Sequence, residues 1–295
     1  MDELRNNPGL SAIIITEGWH DVLILDALLR KKGWNSWEKK GDPVKSAEHL
    51  EKETEYIHQK RKENGEKILK FKGYTIQILP SKGDRGGKDY IPELISINWQ
   101  KSQLFFVVFD PDDQEPRSAV QKLYDRIKER VKLIKDEQTA HKESQQIRVV
   151  QDELGRQVVL AFWPAMVDKG RWPLSIQDPE LAHNMLDYVL VMGMRKDILR
   201  KAVDSLSDAR RAERVSADQF PKKLKEILRL LQRQGVRLMS SKRVLDFYVA
   251  LLGFRAGFGH LGSQIIREMP EDDLDSVFGG LPSFIISVLD AINTG

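Results

Sequence analysis

Cysteine is absent from the 295-residue chain, which excludes disulfide bonds, thiolate zinc sites and cysteine nucleophiles. No apolar run reaches the roughly 18 residues that a membrane-spanning helix needs, and the first seven residues have no apolar stretch of the signal-peptide kind. A strong excess of one charge is also missing, since 47 basic residues oppose 44 acidic ones. We therefore expect a cytoplasmic protein without a membrane partner, and 41% hydrophobic residues suffice for a globular core.

Several familiar catalytic patterns are missing as well. The six histidines are scattered and lack the spacing of a zinc site. No serine lies in a Gly-x-Ser-x-Gly elbow, and the glycine-rich loop at 80–89 lacks the Gly-Lys-Ser/Thr of a Walker A motif. Candidate chemistry therefore depends on carboxylates and basic side chains.

Hydrophobic patterning predicts an α/β fold. The apolar runs at 12–15 and 104–109 indicate strands buried on both faces, and a third strand is expected at 74–79. Helices are expected after each of them, at 22–29, 91–97 and 120–134. A hairpin is expected where Leu154-Gly155-Arg156 separates strands at 147–150 and 157–163. We predict a parallel-type sheet flanked by helices.

The chain divides into two regions by composition. We assign residues 1–165 to the α/β core, with a charged insertion at about 38–72, where 18 of 35 residues are Asp, Glu, Lys or Arg. Such a stretch is typical of a solvated helix or a mobile excursion. Residues 166–295 are predicted to be mainly helical and basic, with apolar faces at 181–190, 224–231, 244–252 and 282–292. Whether this region packs on the core as one unit is left open.

Carboxylates follow both of the clearest strands. Glu17 comes directly after the first strand, and Asp110 and Asp112 come directly after the strand at 104–109. Asp21 lies one helical turn beyond Glu17. Because functional groups gather at the carboxyl ends of parallel strands, these side chains are expected to converge, and hard oxygen ligands suit Mg²⁺ or Mn²⁺. The alternative is that Asp21 caps a helix and that Asp110-Pro111-Asp112-Asp113 is an ordinary turn.

These motifs resemble the Toprim domain, which is shared by topoisomerases, bacterial primases, recombination and RNA-maturation proteins, and the OLD (overcoming lysogenisation defect) nucleases. Ile13-Ile14-Ile15-Thr16-Glu17-Gly18-Trp19-His20-Asp21 is similar to the first Toprim motif. Phe109-Asp110-Pro111-Asp112 is similar to the second, an Asp-x-Asp after a strand. Gly86-Gly87-Lys88 and Pro179-Glu180-Leu181 resemble segments of small stand-alone Toprim-like proteins, whereas the insertion at 38–72 departs from a minimal Toprim core.

The resemblance implies roles for individual residues. Glu17 would be a metal ligand or the general acid or base, and Asp110 and Asp112 would bind Mg²⁺. In the OLD-type nucleases a further acidic residue of the first helix helps to hold a second metal, and this would be Asp21. Asp113 would be either another ligand or the cap of the following helix.

Basic residues suggest contacts with a polyanion. Lys88 lies in a glycine-rich loop whose backbone could approach a phosphate; the alternative is a flexible surface turn. Between residues 195 and 243 the chain has 15 Lys or Arg against 6 Asp or Glu, a local balance of +9. We select Arg210, Arg211, Lys222 and Lys223 as candidate nucleic-acid contacts. The alternative is a solvated helical face with internal ion pairs.

Together these patterns predict Mg²⁺- or Mn²⁺-dependent nucleic-acid phosphodiester chemistry by a Toprim-like metal site, with a nuclease favoured. The alternative is a non-catalytic nucleic-acid-binding or regulatory subunit of a phage, defence or repair assembly. The expected partner is DNA or RNA, and a homodimer or a partner protein is left open. A primase or topoisomerase relative is disfavoured, because no zinc ribbon and no tyrosine-bearing strand-passage domain is evident.

Overall fold

A computed structural model describes residues 11–36, 67–71, 73–81, 87–111, 114–140, 145–165, 219–235, 258–272 and 280–293, together with residues 198, 201, 274 and 278. These residues form an α/β structure with eight strands in one mixed sheet. In chain order the strands are β1 (Ala12–Thr16), β2 (Asn35–Ser36), β3 (Lys67–Phe71), β4 (Tyr74–Pro80), β5 (Leu104–Phe109), β6 (Leu133–Ala140), β7 (Gln146–Asp152) and β8 (Gln157–Pro164).

The centre of the sheet is parallel and its margins are antiparallel. The spatial order is β2-β3-β4-β1-β5-β8-β7-β6. The neighbours β4, β1, β5 and β8 run parallel, with pairs such as Ile14↔Ile78 and Ile14↔Phe106. On the outer sides, β2 and β3 extend the sheet from β4, and β7 and β6 extend it from β8, all in antiparallel fashion. Every residue of β1 and β5 is buried, as expected for strands covered on both faces.

Helices cover both faces of the sheet. Six are described: α1 (Trp19–Lys31), α2 (Gly87–Asn98), α3 (Pro116–Val131), α4 (Phe220–Arg233), α5 (Phe258–Glu268) and α6 (Leu281–Asn293). One face packs against α2 and α3 through a core that includes Ile13, Phe105, Ile95 and Leu123. The opposite face packs against α1, α5 and α6. Within the described residues, no helix combines the length and hydropathy needed to cross a membrane.

Three details differ from the sequence-based expectations. The sheet is mixed rather than of purely parallel type, because hairpins add antiparallel strands at both margins. Part of the charged insertion is a strand, since residues 67–71 pair with β4, whereas residues 37–66 and 72 lie outside the described part. Helix α3 ends at Val131 because Lys132 adopts a left-handed conformation with φ of 59°. The apolar period that reaches Ile134 therefore runs into β6, where Ile134 is exposed.

Other expectations are confirmed. The turn at Leu154-Gly155-Arg156 joins β7 and β8 as an antiparallel hairpin, and the last predicted helix is α6. The apolar positions at 224–231 fall in α4. The helices expected at 181–190 and 244–252 lie outside the described residues.

Candidate functional site

The topology creates a crevice between the ends of β1 and β5. After β1 the chain adds β4 on one side, and it then crosses to the other side to form β5. Connections that leave two neighbouring parallel strands in opposite directions open a crevice at their carboxyl ends, where ligands bind in open α/β sheets. Glu17 directly follows β1 and Asp110 directly follows β5, so both residues lie at this crevice.

The Glu17 side chain spans the crevice. Its Oε1 accepts a hydrogen bond of 2.9 Å from the backbone N–H of Asp110, which lies 93 residues further along the chain. A hydrogen bond between a carboxylate and a backbone amide is charge-assisted and therefore stronger than a neutral one. The bond fixes the Glu17 carboxylate at the end of β5 and brings the two predicted site residues into direct contact.

Lys88 approaches the same carboxylate from a third element. Helix α2 begins at Gly87, and the Lys88 Nζ lies 3.7 Å from Glu17 Oε1. The two side chains are 24% and 21% exposed, so this ion pair is partly shielded from water yet accessible from the crevice. The same glutamate oxygen thus accepts a hydrogen bond from a backbone amide and forms an ion pair with a lysine ammonium group.

Ser81 ties the start of α2 to the end of β1. Its Oγ lies 2.7 Å from the carbonyl oxygens of both Glu17 and Gly87, and its N–H donates to the Thr16 carbonyl over 2.7 Å. A Cβ atom on Gly87 would lie 3.2 Å from the Glu17 carbonyl oxygen. The absence of a side chain at position 87 therefore allows the two backbones to come this close.

Asp21 lies in the first turn of α1 and, unlike Glu17, its carboxylate bonds to the start of its own helix. Its Oδ2 accepts a 2.9 Å hydrogen bond from the N–H of Gly18, the N-cap residue of the helix. The side chain is buried, and this burial raises the pKa of Asp21 to about 6, although the bond from Gly18 acts in the opposite direction. Asp21 therefore stabilises the start of α1, whatever further role it has.

Helix α3 obtains its cap from a residue outside the acidic motif. The N-cap is Glu115, whose Oε2 accepts a 2.8 Å hydrogen bond from the Ser118 N–H, and Pro116 occupies the first turn. Backbone hydrogen bonds from Ser118 and Arg117 lower the pKa of Glu115. Asp110 lies five residues before this cap and therefore does not cap α3.

The remaining predicted residues divide between the described and undescribed parts. Lys222 and Lys223 are exposed on α4. Asp112, Asp113, Arg210 and Arg211 lie outside the described residues. Within the part that the structure describes, no group of three or more His, Asp or Glu side chains is arranged to hold a metal ion. The metal site stays a prediction, and its described members are Glu17, Asp21 and Asp110.

Sequence reasoning missed two contributors to this site. Ser81 is one, and its only signal is its position between the end of a predicted strand and a glycine-rich loop. The backbone N–H of Asp110 is the other, since the sequence pointed to the side chain of that residue alone. Comparison with models of protein families, with curated proteins and with solved structures finds no match to this chain.

The arrangement has a definite chemical capacity. It holds one glutamate at a fixed position, a lysine ammonium group beside it, and an aspartate at the end of the neighbouring strand. Carboxylates can bind a hard cation or accept a proton, and an ammonium group can hold a phosphate oxygen. Residues that carry both kinds of group therefore lie together at the carboxyl ends of β1 and β5.

Proposed function

We propose that the chain is a Toprim-type nuclease that hydrolyses nucleic-acid phosphodiesters with Mg²⁺ or Mn²⁺. The observation that carries the proposal is the contact between Glu17 and Asp110 at the carboxyl ends of the neighbouring parallel strands β1 and β5. The order of parallel strands β4-β1-β5-β8 is compatible with this class. Glu17 and Asp110 belong to the two segments that resemble the Toprim motifs.

Carboxylate oxygens are the ligands that a hard divalent cation prefers. Glu17 and Asp110 would supply them at one edge of the sheet, and Asp112 and Asp21 are the further candidates. A cation bound by them would supply Lewis acidity toward the phosphodiester and compensate its negative charge. Because Lys88 already carries a positive charge 3.7 Å from Glu17, its ammonium group would have to move toward a substrate phosphate when a cation takes its place.

The protein groups then have separate tasks in hydrolysis. A water oxygen attacks phosphorus and the water proton passes to a base. The bond from phosphorus to the leaving sugar oxygen breaks, and that oxygen keeps the electron pair and takes up a proton from solvent. In this proposal Glu17 orients the water and accepts its proton, and the Asp110 N–H holds Glu17 in position for that task. Lys88 holds a phosphate oxygen.

A cleavage assay with the purified full chain tests the proposal. Labelled DNA and RNA, each single- and double-stranded, are incubated with Mg²⁺, with Mn²⁺ and with EDTA. We expect cleavage that requires the metal and falls by about a hundredfold or more in Glu17→Gln and in Asp110→Asn. The matched control is Glu93→Gln, which removes a carboxylate of α2 that pairs with Arg130 of α3. This variant should cleave at the same rate as wild type.

Thermal unfolding gives an independent readout for Asp110. Asparagine keeps the shape and the backbone N–H that Glu17 uses, but it removes one of the negative charges that gather at the crevice. We expect a melting temperature in EDTA equal to or above that of wild type, and a smaller rise when Mg²⁺ or Mn²⁺ is added. A variant that melts below wild type in EDTA and gains the same amount from metal would show that Asp110 is structural.

Two observations favour the non-catalytic alternative. Glu17 is already neutralised by Lys88, and the Asp21 carboxylate is engaged with the start of its own helix. Wild-type protein that binds nucleic acid but cuts none of the substrates with either metal would establish this binding or regulatory function instead of the nuclease.

A further inference from the structure

Helix α4 carries a concentrated basic face. Lys222, Lys223, Arg229 and Arg233 line a groove of about 760 Å³, and Glu226 is the one acidic residue among its described lining residues. All five side chains are exposed. The sequence of this 14-residue helix has five Lys or Arg residues against one acidic residue, which is a strong local excess, whereas the whole chain has a net charge of only +3.

The spacing places these charges in a line. At 100° per residue, Lys222, Glu226, Arg229 and Arg233 fall within an arc of about 60°, and Lys223 lies beside that arc. The line from Lys222 to Arg233 is about 16 Å long at 1.5 Å per residue. Phosphates on one strand of a B-form duplex recur every ~3.4 Å along the axis, so the basic face can follow about four or five of them.

Internal neutralisation of this face is small. Glu226 pairs with Lys223, with 3.1 Å between Oε2 and Nζ, and both side chains are more than half exposed. Exposed pairs of this kind contribute little to stability because water screens them. Such a pair can therefore open at little cost when a polyanion approaches.

We propose that the groove-lining face of α4 is a docking surface for the phosphodiester backbone of DNA or RNA. The inference rests on the proposed function, since the polyanion that it assigns to this face is the class of substrate proposed for the Glu17 site. The positive charge of this face complements the negative charge of the phosphates. None of the described lining residues is aromatic, which favours contact with the backbone rather than stacking on bases.

The first test removes the four charges and measures binding without cleavage. Full-length protein in EDTA is titrated against a labelled DNA duplex, single-stranded DNA and single-stranded RNA of the same length, over a range of salt concentrations. We expect the combined variant Lys222→Gln, Lys223→Gln, Arg229→Gln and Arg233→Gln to lose about tenfold or more in affinity. The slope of log affinity against log salt should become shallower by about 0.9 for each lost contact with a duplex.

A matched variant controls for net charge. Changing the exposed Lys101, Lys128, Lys132 and Lys135 to Gln removes the same four charges from another part of the molecule. This control should bind with nearly wild-type affinity and salt slope. Equal losses in the two variants would overturn the proposal, because the effect would then belong to overall charge.

A second variant should strengthen binding, a result that misfolding cannot produce. Glu226→Gln removes the one acidic side chain of the groove and releases Lys223. We expect affinity to rise by about two- to fivefold. The matched control is Glu137→Gln, which breaks a comparable exposed pair with Lys135, 2.9 Å apart, and should change nothing.

The outcomes separate this inference from the proposed function. Cleavage that requires Glu17, combined with unchanged binding in the α4 variants, overturns the inference alone. Binding that depends on α4, with no cleavage under any condition, supports the inference and removes the nuclease. The proposal would be overturned if wild-type protein binds none of the three nucleic acids but binds vesicles of phosphatidylserine through α4. The face would then be a contact with a membrane surface.

Discussion

Glu17 shows how one side chain can join three elements of the fold. Its carboxylate is bound by the N–H of Asp110 after β5 and by Lys88 at the start of α2, and its carbonyl oxygen is bound by Ser81 after β4. None of these partners is near Glu17 in sequence. The geometry of a candidate catalytic group therefore depends on three separate chain segments.

Replacing Lys88 is predicted to change metal affinity and cleavage rate in opposite directions. Its positive charge lies 3.7 Å from Glu17 and opposes a cation at the same carboxylate. Lys88→Gln should therefore bind Mn²⁺ about two- to tenfold more tightly. The same variant should cleave more slowly, because the ammonium group that holds the substrate phosphate is lost.

Calorimetric titration of Mn²⁺ and the cleavage assay measure these two effects on one preparation. The control is Lys101→Gln, an exposed lysine in the loop that precedes β5, which should alter neither quantity. Weaker Mn²⁺ binding in Lys88→Gln would contradict the proposed exchange between the lysine and the metal, since it would mean that Lys88 supports the metal site.

At the scale of the element, the sequence predicted the strands that matter most. Apolar runs buried on both faces identify β1 and β5, because no other environment accepts so many consecutive β-branched and aromatic side chains. Placing Glu17 and Asp110 at strand ends followed from these runs. The start of α2 could not be predicted in the same way, because Ser81 and Gly87 act through backbone contacts that no apolar period reports.

Gly87 supplies the prediction for this element. In Gly87→Ala the new Cβ lies 3.2 Å from the Glu17 carbonyl oxygen and 3.4 Å from the Glu17 Cβ, so α2 and the end of β1 must move apart by a few tenths of an ångström. Alanine is favoured over glycine by about 1 kcal/mol in a helix interior, and Gly87, the first residue of α2, would gain only part of this. We therefore expect little change in melting temperature but a loss of about tenfold in cleavage, since small misplacements of catalytic groups are costly.

Gly18→Ala is the matched control on the other side of Glu17. Its Cβ would lie 3.7 Å from Asp21 Oδ2, an ordinary contact, and the extended backbone of Gly18 accepts alanine. This variant should lose some stability as a poorer N-cap and keep its cleavage rate. If both variants cleave as wild type does, the close approach at Gly87 has no part in the site.

At the scale of the whole molecule, helices α5 and α6 share one core with the sheet. A single cluster of buried side chains includes Ile14 and Phe106 from the central strands and Ile265 and Phe284 from α5 and α6. The composition boundary near residue 165 gave no sign of this packing, because helix periodicity identifies an apolar face but not the surface that covers it. The face of the sheet on which each helix packs depends on long-range contacts, which a local pattern does not report.

Phe284 tests whether this shared core unfolds as one unit. The ring is 3% exposed, and its centroid lies 6.0 Å from that of Phe106 in β5 and 5.3 Å from that of Trp163 in β8. Phe284→Ala should cost about 3–5 kcal/mol, from lost burial and from the cavity that remains. Because the ring contacts the sheet directly, hydrogen exchange in β5 and β8 should accelerate together with exchange in α6.

Ile97→Ala, at a side chain that is 57% exposed on α2, is the control and should change stability by less than about 0.5 kcal/mol. Faster exchange confined to residues 258–293, with the strands protected as in wild type, would show instead that the C-terminal helices open independently of the sheet that carries Glu17 and Asp110.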